Sequence, residues 1–143
     1  KEDEVDMLGR LQEVHPIDGL QPTVYKEELL KLQKQVRSIH IDVSLKQYIV
    51  NLVERTRSHP EIYTGASPRA SVALMRTSQG RAFQQGRSYV IPDDIKFMIA
   101  CTLGHRLIMR SETKLKGIES ILHHIVEETA VPNLRYASYQ RAR

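Results

Sequence analysis

The sequence predicts an all-α protein, a small bundle of five or six helices. The first reason is periodicity, because apolar residues recur at the i, i+3, i+4, i+7 spacing of a buried helix face in successive segments. The second is that proline, glycine and capping residues separate those segments. The third is that strand-like stretches are confined to residues 38–41 and 88–91, which are short and could pair with each other.

A connector that interrupts regular structure separates the first two helices. Residues 1–11 have the pattern of the end of a helix, and the connector HPIDGLQPTV at residues 15–24 contains two prolines. We therefore expect no regular element within the connector. The second helix is predicted from Tyr25 to about Arg37, with Thr23 as its candidate cap and an apolar stripe formed by Leu29, Leu32 and Val36.

The third helix has the clearest buried face. Ser44 and Gln47 have the spacing of a capping box at its start, and the helix should end near Ser58, before Pro60. The residues predicted to be buried are Leu45, Tyr48, Ile49, Leu52, Val53 and Thr56.

The last three helices are bounded by proline and glycine. The fourth is predicted to end at Gly86. The fifth should span residues 92–105 and the sixth residues 118–128, with Pro132 beyond it. The predicted inward faces are Ile95, Met98, Ile99 and Thr102 in the fifth helix, and Ile118, Ile121, Leu122, Ile125 and Val126 in the sixth.

The size and composition indicate one soluble domain. The 143 residues are 27% charged and 41% hydrophobic, and no apolar run approaches the roughly 18 residues of a membrane span. The single cysteine, Cys101, excludes a disulfide framework and a thiol zinc cluster, and it favours a reducing, cytoplasmic location. Because the chain begins with Lys1, we expect it to be a piece of a larger protein.

The net charge of +4 leaves two other function classes open. A basic helical module that binds nucleic acid is one, and a protein-interaction domain is the other. However, three of the excess charges come from Arg135, Arg141 and Arg143, in a tail that contains no acid. Since the body is nearly balanced, nucleic acid is not the expected partner.

Catalytic and metal-binding motifs are absent from this sequence. It has no G-x-x-x-x-G-K-[ST], H-E-x-x-H, G-x-S-x-G or G-x-G-x-x-G pattern, so no catalytic residue is expected within it. His123 and His124 are adjacent and would point about 100° apart on a helix, so no metal site is expected. Structural roles are expected for the other candidates: His15 and His59 in loops, His40 and His105 in packing or hydrogen bonding, Cys101 as a small buried residue, Asp93 and Asp94 in a helix's first turn, and Arg106 and Arg110 on a solvated face.

Arg69 has no such simple explanation. Ser67 is predicted to cap the fourth helix, with Pro68 at its first position, so Arg69 lies in the first turn, where a cation is unfavourable. Free N–H groups and a guanidinium together could bind a phosphate. An ion pair with Glu61 or Glu54 would explain Arg69 equally well, and spacing alone leaves both interpretations open.

Three ordered motifs resemble a known family. They are GASPRASVALMR at residues 65–76, GRSYVIPDDIK at residues 86–96 and HRLIM at residues 105–109. Together with the upstream HPIDGLQPTV, LQKQVRSIHID and YIVNLVERTRSHP, they resemble the C-terminal helical lid domain of MoxR-type AAA+ ATPases, relatives of the magnesium-chelatase ATPase subunit. The resemblance covers roughly Glu2 to Lys116.

This resemblance implies a role for Arg69. It would be the sensor-2 arginine, reaching the γ-phosphate of ATP in cis or in trans, with Ser67 and Pro68 shaping the helix start. ATP and Mg²⁺ would be bound by Walker motifs in the parent ATPase, upstream of this segment. The implied partners are the N-terminal AAA+ core domain, neighbouring subunits of a hexameric, chaperone-like ring, and client proteins of unknown identity, with no membrane partner.

The same resemblance divides the chain and identifies departures from the family pattern. Residues 1–24 would be the end of a helix and a connector, residues 25–131 the lid, and residues 132–143 a basic tail. Ile91 and Tyr25 stand where the family has capping residues, and Gly80 lies in the middle of a helix. Each of these departures is expected to cost up to about 1 kcal/mol of stability.

Overall fold

The elements of the fold were identified in a computed structural model that describes residues 1–11, 15–110 and 117–133. Over those ranges it contains six α-helices and two short strands, which confirms the all-α prediction. The helices are α1 (Glu2–Leu11), α2 (Lys26–Ser38), α3 (Val43–Ser58), α4 (Pro68–Gln84), α5 (Pro92–Leu103) and α6 (Ile118–Glu128), and the strands are β1 (Ile62–Thr64) and β2 (Ile108–Met109). The chain divides into two units, residues 1–32 and 33–143.

The hydrophobic core of the second unit is built by α3, α4, α5 and α6. All six residues predicted to form the buried face of α3 are buried. In α5, Ile95, Ile99 and Thr102 are buried and Met98 packs against the core, while α6 buries Ile121, Leu122 and Ile125. The 3.6-residue period therefore located these faces correctly.

The ends of two helices show where local capping signals succeed and fail. The predicted capping box of Ser44 and Gln47 is wrong, because α3 begins earlier and Asp42 is its cap, accepting the backbone N–H of Ser44 at 2.8 Å. The predicted end of α4 at Gly86 is confirmed. Gly86 has a φ of +70° and the next N–H, that of Arg87, returns to the carbonyl of Ala82 at 2.9 Å, as in a Schellman motif.

Segments between the helices form short strand pairings. The predicted pairing of residues 38–41 with 88–91 is confirmed as a single parallel bridge between His40 and Tyr89. The antiparallel pairing of β1 with β2, in which Ile62 lies opposite Met109, was not predicted. Strands of two or three residues are too short to show an alternating pattern.

The first unit contains α1 and the start of α2, and neither helix has a buried residue. Their apolar stripes are exposed, with Val5 at 69%, Leu8 at 64% and Leu29 at 51% of full exposure. The expectation that the connector holds no regular element is wrong in one respect, because Pro16–Gly19 forms a 3-10 turn. Nδ1 of His15 accepts the backbone N–H of Ile17 at its start.

Several expectations about single residues are corrected by the fold. Cys101 is exposed on α5 rather than buried, and its thiol donates to the carbonyl of Met98. The side chains of His40 and His105 are exposed, so neither packs in the core, whereas the backbone of His40 forms hydrogen bonds with Ser88 and Val90. Among the described helices, none is long and apolar enough to cross a membrane. The basic tail from residue 134 onward lies outside the described residues.

Candidate functional site

The start of α4 is placed by a short loop that lies against the last turn of α3. Gly65 comes so close to this turn that a Cβ at its position would be 2.5 Å from Cα of Arg57 and 2.7 Å from the carbonyl oxygen of Thr56. Both of those atoms belong to backbone, which cannot move aside as a flexible side chain could. Only glycine therefore fits at this point of the loop.

Two adjacent residues of α3 hold both backbone polar groups of Ala66. Oγ1 of Thr56 accepts the N–H of Ala66 at 3.0 Å, and Nε of Arg57 donates to its carbonyl at 2.8 Å. Thr56 is itself anchored, because its hydroxyl donates to the carbonyl of Val53 at 2.6 Å. Since Ala66 is only 1% exposed, these bonds satisfy polar groups that water does not reach. We call the α3 residues Thr56 and Arg57, together with the loop residue Gly65 that packs against them, the α3 clamp.

Ser67 occupies the predicted N-cap position of α4, but its side chain makes no capping hydrogen bond. Its backbone is extended, with φ −75° and ψ 165°, and its carbonyl accepts the N–H of Ala70 at 2.8 Å. Pro68 is the first helical residue, as predicted. The helix start is thus defined by the α3 clamp, the proline and the backbone rather than by the serine hydroxyl.

Arg69 is the second residue of α4, and its side chain is exposed. Within the described ranges, its guanidinium makes no hydrogen bond or ion pair, so the alternative of a pair with Glu54 or Glu61 is not formed. The first turn of a helix carries a partial positive charge and N–H groups without intrahelical acceptors. A cation and a helix start therefore face solvent together, in an arrangement suited to an anion.

The buried carboxylate of Asp94 connects the last turn of α4, and the segment that follows it, to α5. Asp94, only 1% exposed, accepts two hydrogen bonds from Arg87, at 2.7 and 2.6 Å, and lies 3.5 Å from Nε of Arg81. The hydrogen bonds with Asp94 raise the pKa of Arg87 above its usual value. Asp94 also accepts the N–H of Ile91 at 2.9 Å, which holds the first turn of α5 where the cap side chain is apolar.

The histidines of α6 lie in a different place, beside an open pocket of about 420 Å³. His123 and His124 lie 3.4 and 3.3 Å from Glu127 and Glu128, and the rings of His59 and His124 are 6.3 Å apart. In the part of the chain that the structure describes, no three histidine, cysteine or acidic residues are grouped to hold a metal ion.

Sequence reasoning did not identify the α3 clamp. Thr56 was predicted only as part of a buried face, and Arg57 and Gly65 were assigned no role. A polar threonine on an apolar stripe and a glycine just before a helix start were the available signals. Neither signal could reveal that the two segments meet, because Thr56 and Ala66 are ten residues apart and joined through a loop and β1.

Comparison with protein families identifies the region that contains this site. Residues 54–125 match the family model described as the AAA lid domain. The match includes the α3 clamp, α4 with Arg69, α5 and most of α6.

Three known proteins are similar over most of the chain. YeaC of Bacillus subtilis, described as uncharacterized, is 42% identical over 137 residues, which cover 94% of this chain and 43% of that protein. Chaperone MoxR1 of Mycobacterium tuberculosis is 28% identical over 124 residues, covering 79% of this chain and 33% of that protein. The crystal structure of a candidate ATPase from Cytophaga hutchinsonii matches with a TM-score of 0.74 and 28% identity, over 93% of this chain and 44% of that one. The chain thus spans less than half the length of each of these relatives.

Proposed function

Because the chain belongs to the AAA lid domain family, as a C-terminal lid segment of the MoxR type, we propose that it senses the nucleotide state of a AAA+ ATPase through Arg69. In this proposal Arg69 is a sensor-2 arginine that contacts the γ-phosphate of ATP. The observation that carries the proposal is the state of its guanidinium, which is exposed in the first turn of α4 and lacks an acidic partner among the described residues.

Electrostatics explains why this position suits a phosphate contact. An arginine at a helix N-terminus is unfavourable by a few tenths of a kcal/mol when no anion is present, because it adds to the positive end of the helix dipole. A triphosphate at the same place interacts favourably with both the arginine and the positive end of the helix dipole. In addition, a guanidinium can donate two parallel hydrogen bonds to one phosphate group. The same residue therefore stabilises the nucleotide-bound arrangement more than the empty one.

ATP hydrolysis would then change what Arg69 contacts. The γ-phosphate is the group lost on hydrolysis, so an arginine that binds it distinguishes ATP from ADP by differential affinity. The position of α4 would follow the nucleotide, and the ion pairs of Asp94 with Arg87 and Arg81 would carry that movement to α5.

The remaining parts of the reaction would be supplied by other segments of the parent ATPase. We propose that ATP and Mg²⁺ are bound by its AAA+ core domain, since this chain has neither a phosphate-binding loop nor an acidic metal group in its described part. The core domain and neighbouring subunits of a hexameric, chaperone-like ring in the cytoplasm are the proposed partners. The exposed apolar stripes of α1 and α2 offer surface for the core domain.

The test is to replace Arg69 with alanine in the intact ATPase and to measure ATP turnover and ATP affinity separately. Losing one charge-assisted contact to the reacting phosphate should lower kcat/KM by about tenfold or more. Arg55→Ala is the matched control, because Arg55 is an exposed arginine that pairs with Glu128 and takes no part in the site. Turnover and affinity that stay at wild-type levels in Arg69→Ala would remove the proposal.

A further inference from the structure

We propose that Arg57 is a positioning residue for Arg69, because its bond to the carbonyl of Ala66 sets the point and direction at which α4 begins. This inference rests on the proposed function of Arg69 and adds to it the contact that places that arginine.

The first argument is that the α3 clamp holds Ala66 from two sides. The N–H of Ala66 is bound by Thr56 and its carbonyl by Arg57, so the residue can neither shift nor rotate without breaking a hydrogen bond. On the α3 side, Thr56 lies in a fully buried position. The position of Ala66 is therefore fixed relative to the core.

The second argument is that the path from Ala66 to Arg69 is short and restricted. It crosses three peptide units, which span at most about 11 Å. Pro68 lies on this path and its ring fixes its φ near −65°. Because the hydroxyl of Ser67 makes no capping bond, local side-chain capping does not define the start of α4, and a displacement of Ala66 passes directly to Arg69.

The third argument concerns what else Arg57 does. Arg55, Arg81 and Arg87 are each paired with a carboxylate. Arg57 is exposed, and within residues 1–11, 15–110 and 117–133 its bond to Ala66 is the one polar interaction of its side chain. Its role in the described fold is thus to hold the loop before Arg69.

The experiment compares Arg57→Met with Arg57→Lys in the intact ATPase. Methionine keeps an unbranched stem and removes the donor, whereas lysine keeps a donor that can reach a carbonyl. We expect Arg57→Met to lower kcat/KM for ATP by about threefold or more, and Arg57→Lys to stay within about twofold of wild type. Arg55→Met, which loses the same charge two residues earlier on α3, should match wild type.

Combining Arg57→Met with Arg69→Ala separates positioning from a general structural effect. If Arg57 acts through Arg69, the double variant should stay within about twofold of Arg69→Ala alone. Losses that multiply would overturn the inference, and so would equal activity of Arg57→Met and wild type. If circular dichroism shows that Arg57→Met does not fold, Arg57→Ala, which also lacks a donor and has a high helix propensity, replaces it in the same comparison.

The outcomes also distinguish the positioning role of Arg57 from the proposed sensing function of Arg69. A loss in Arg69→Ala with no loss in Arg57→Met removes only the positioning role. Wild-type turnover and affinity in Arg69→Ala remove the proposed function and this inference together.

Discussion

Tyr48 places a hydroxyl without a hydrogen-bond partner in the described part of the core. Its side chain is 1% exposed, and its hydroxyl has no hydrogen-bond partner in the described part of the chain. Burial, with a smaller contribution from the negative charge of Asp93, raises the pKa of Tyr48 above its usual value. The ring therefore provides the packing, while the hydroxyl adds a desolvation cost.

We expect Tyr48→Phe to change the free energy of unfolding by less than about 1 kcal/mol near pH 7, with stabilisation the favoured direction. The raised pKa also gives the sign of the pH dependence. The folded state holds the phenol proton more tightly than the unfolded state, so stability is fully present below the ordinary pKa of about 10 and falls as pH rises above it. Urea unfolding at pH 8 and pH 10.5 measures both effects, and Tyr48→Phe should reduce the alkaline loss. A loss of 2 kcal/mol or more at neutral pH would contradict this description of the hydroxyl.

Arg69 illustrates what a sequence can indicate about a single residue. Ser67 and Pro68 are enough to predict that Arg69 lies in a first turn, where a cation is unfavourable. The sequence also offers the alternative of an ion pair with an acid. What spacing could not decide was whether Glu54 or Glu61 would reach it, because their positions depend on how α3 and β1 pack. Among the described residues, Arg69 forms no ion pair with either acid.

Gly80 in α4 and Gly86 just beyond its end have opposite effects on the stability of this helix. Gly80 lies within the helix, and a Cβ added there would meet no atom within 4 Å other than those of its chain neighbours and of the helix's own nearby backbone, so close packing against another element does not explain this glycine. Gly86 follows the helix with a φ of +70°, a conformation that strains other residues.

Gly80→Ala should therefore raise the free energy of unfolding by about 1 kcal/mol, because alanine has the higher helix propensity and restricts the unfolded chain. Gly86→Ala should lower it by about 1 kcal/mol, because the Schellman turn requires a left-handed conformation. Parallel denaturant titrations of the two variants and the wild type give both signs in one experiment. Destabilisation by Gly80→Ala would mean that an unrecognised contact needs the glycine.

Both departures from the family's capping pattern have the same local compensation. Tyr25 and Ile91 cannot accept a hydrogen bond from the helix in the way that a serine or threonine would. In each case the acid three residues later accepts the N–H of the cap residue, Glu28 at 2.9 Å from Tyr25 and Asp94 at 2.9 Å from Ile91. Half of a capping box therefore remains at each helix start.

The helices were predicted from the sequence, whereas of the pairings between distant segments the one of residues 38–41 with 88–91 was predicted and that of β1 with β2 was not. Apolar spacing predicted all six buried positions of α3, and Gly86 predicted the end of α4. The β1–β2 pairing joins residues more than forty positions apart, and nothing local specifies such a partner. The α3 clamp was likewise not predicted, because the hydrogen bonds from α3 to Ala66 depend on the folded path of the loop.

At the scale of the second unit, the start and end of α4 are anchored to different elements. The α3 clamp holds the loop before its first turn, and Asp94 of α5 pairs with Arg81 in its last turn and with Arg87 just beyond it. A force applied at Arg69 would therefore act on a helix that is bound at both ends to the core. Under the proposed function, these two attachments would pass a change in the phosphate contact of Arg69 to the rest of the lid.

The most direct test of the central claim is the ratio of ATP affinity to ADP affinity in the intact ATPase, measured by equilibrium binding for wild type and Arg69→Ala. If Arg69 contacts the γ-phosphate, the substitution should weaken ATP binding by about tenfold while ADP binding stays nearly constant, so that the ratio falls. A ratio that is the same in both proteins would contradict the claim, because an arginine that does not distinguish the two nucleotides cannot sense which one is bound.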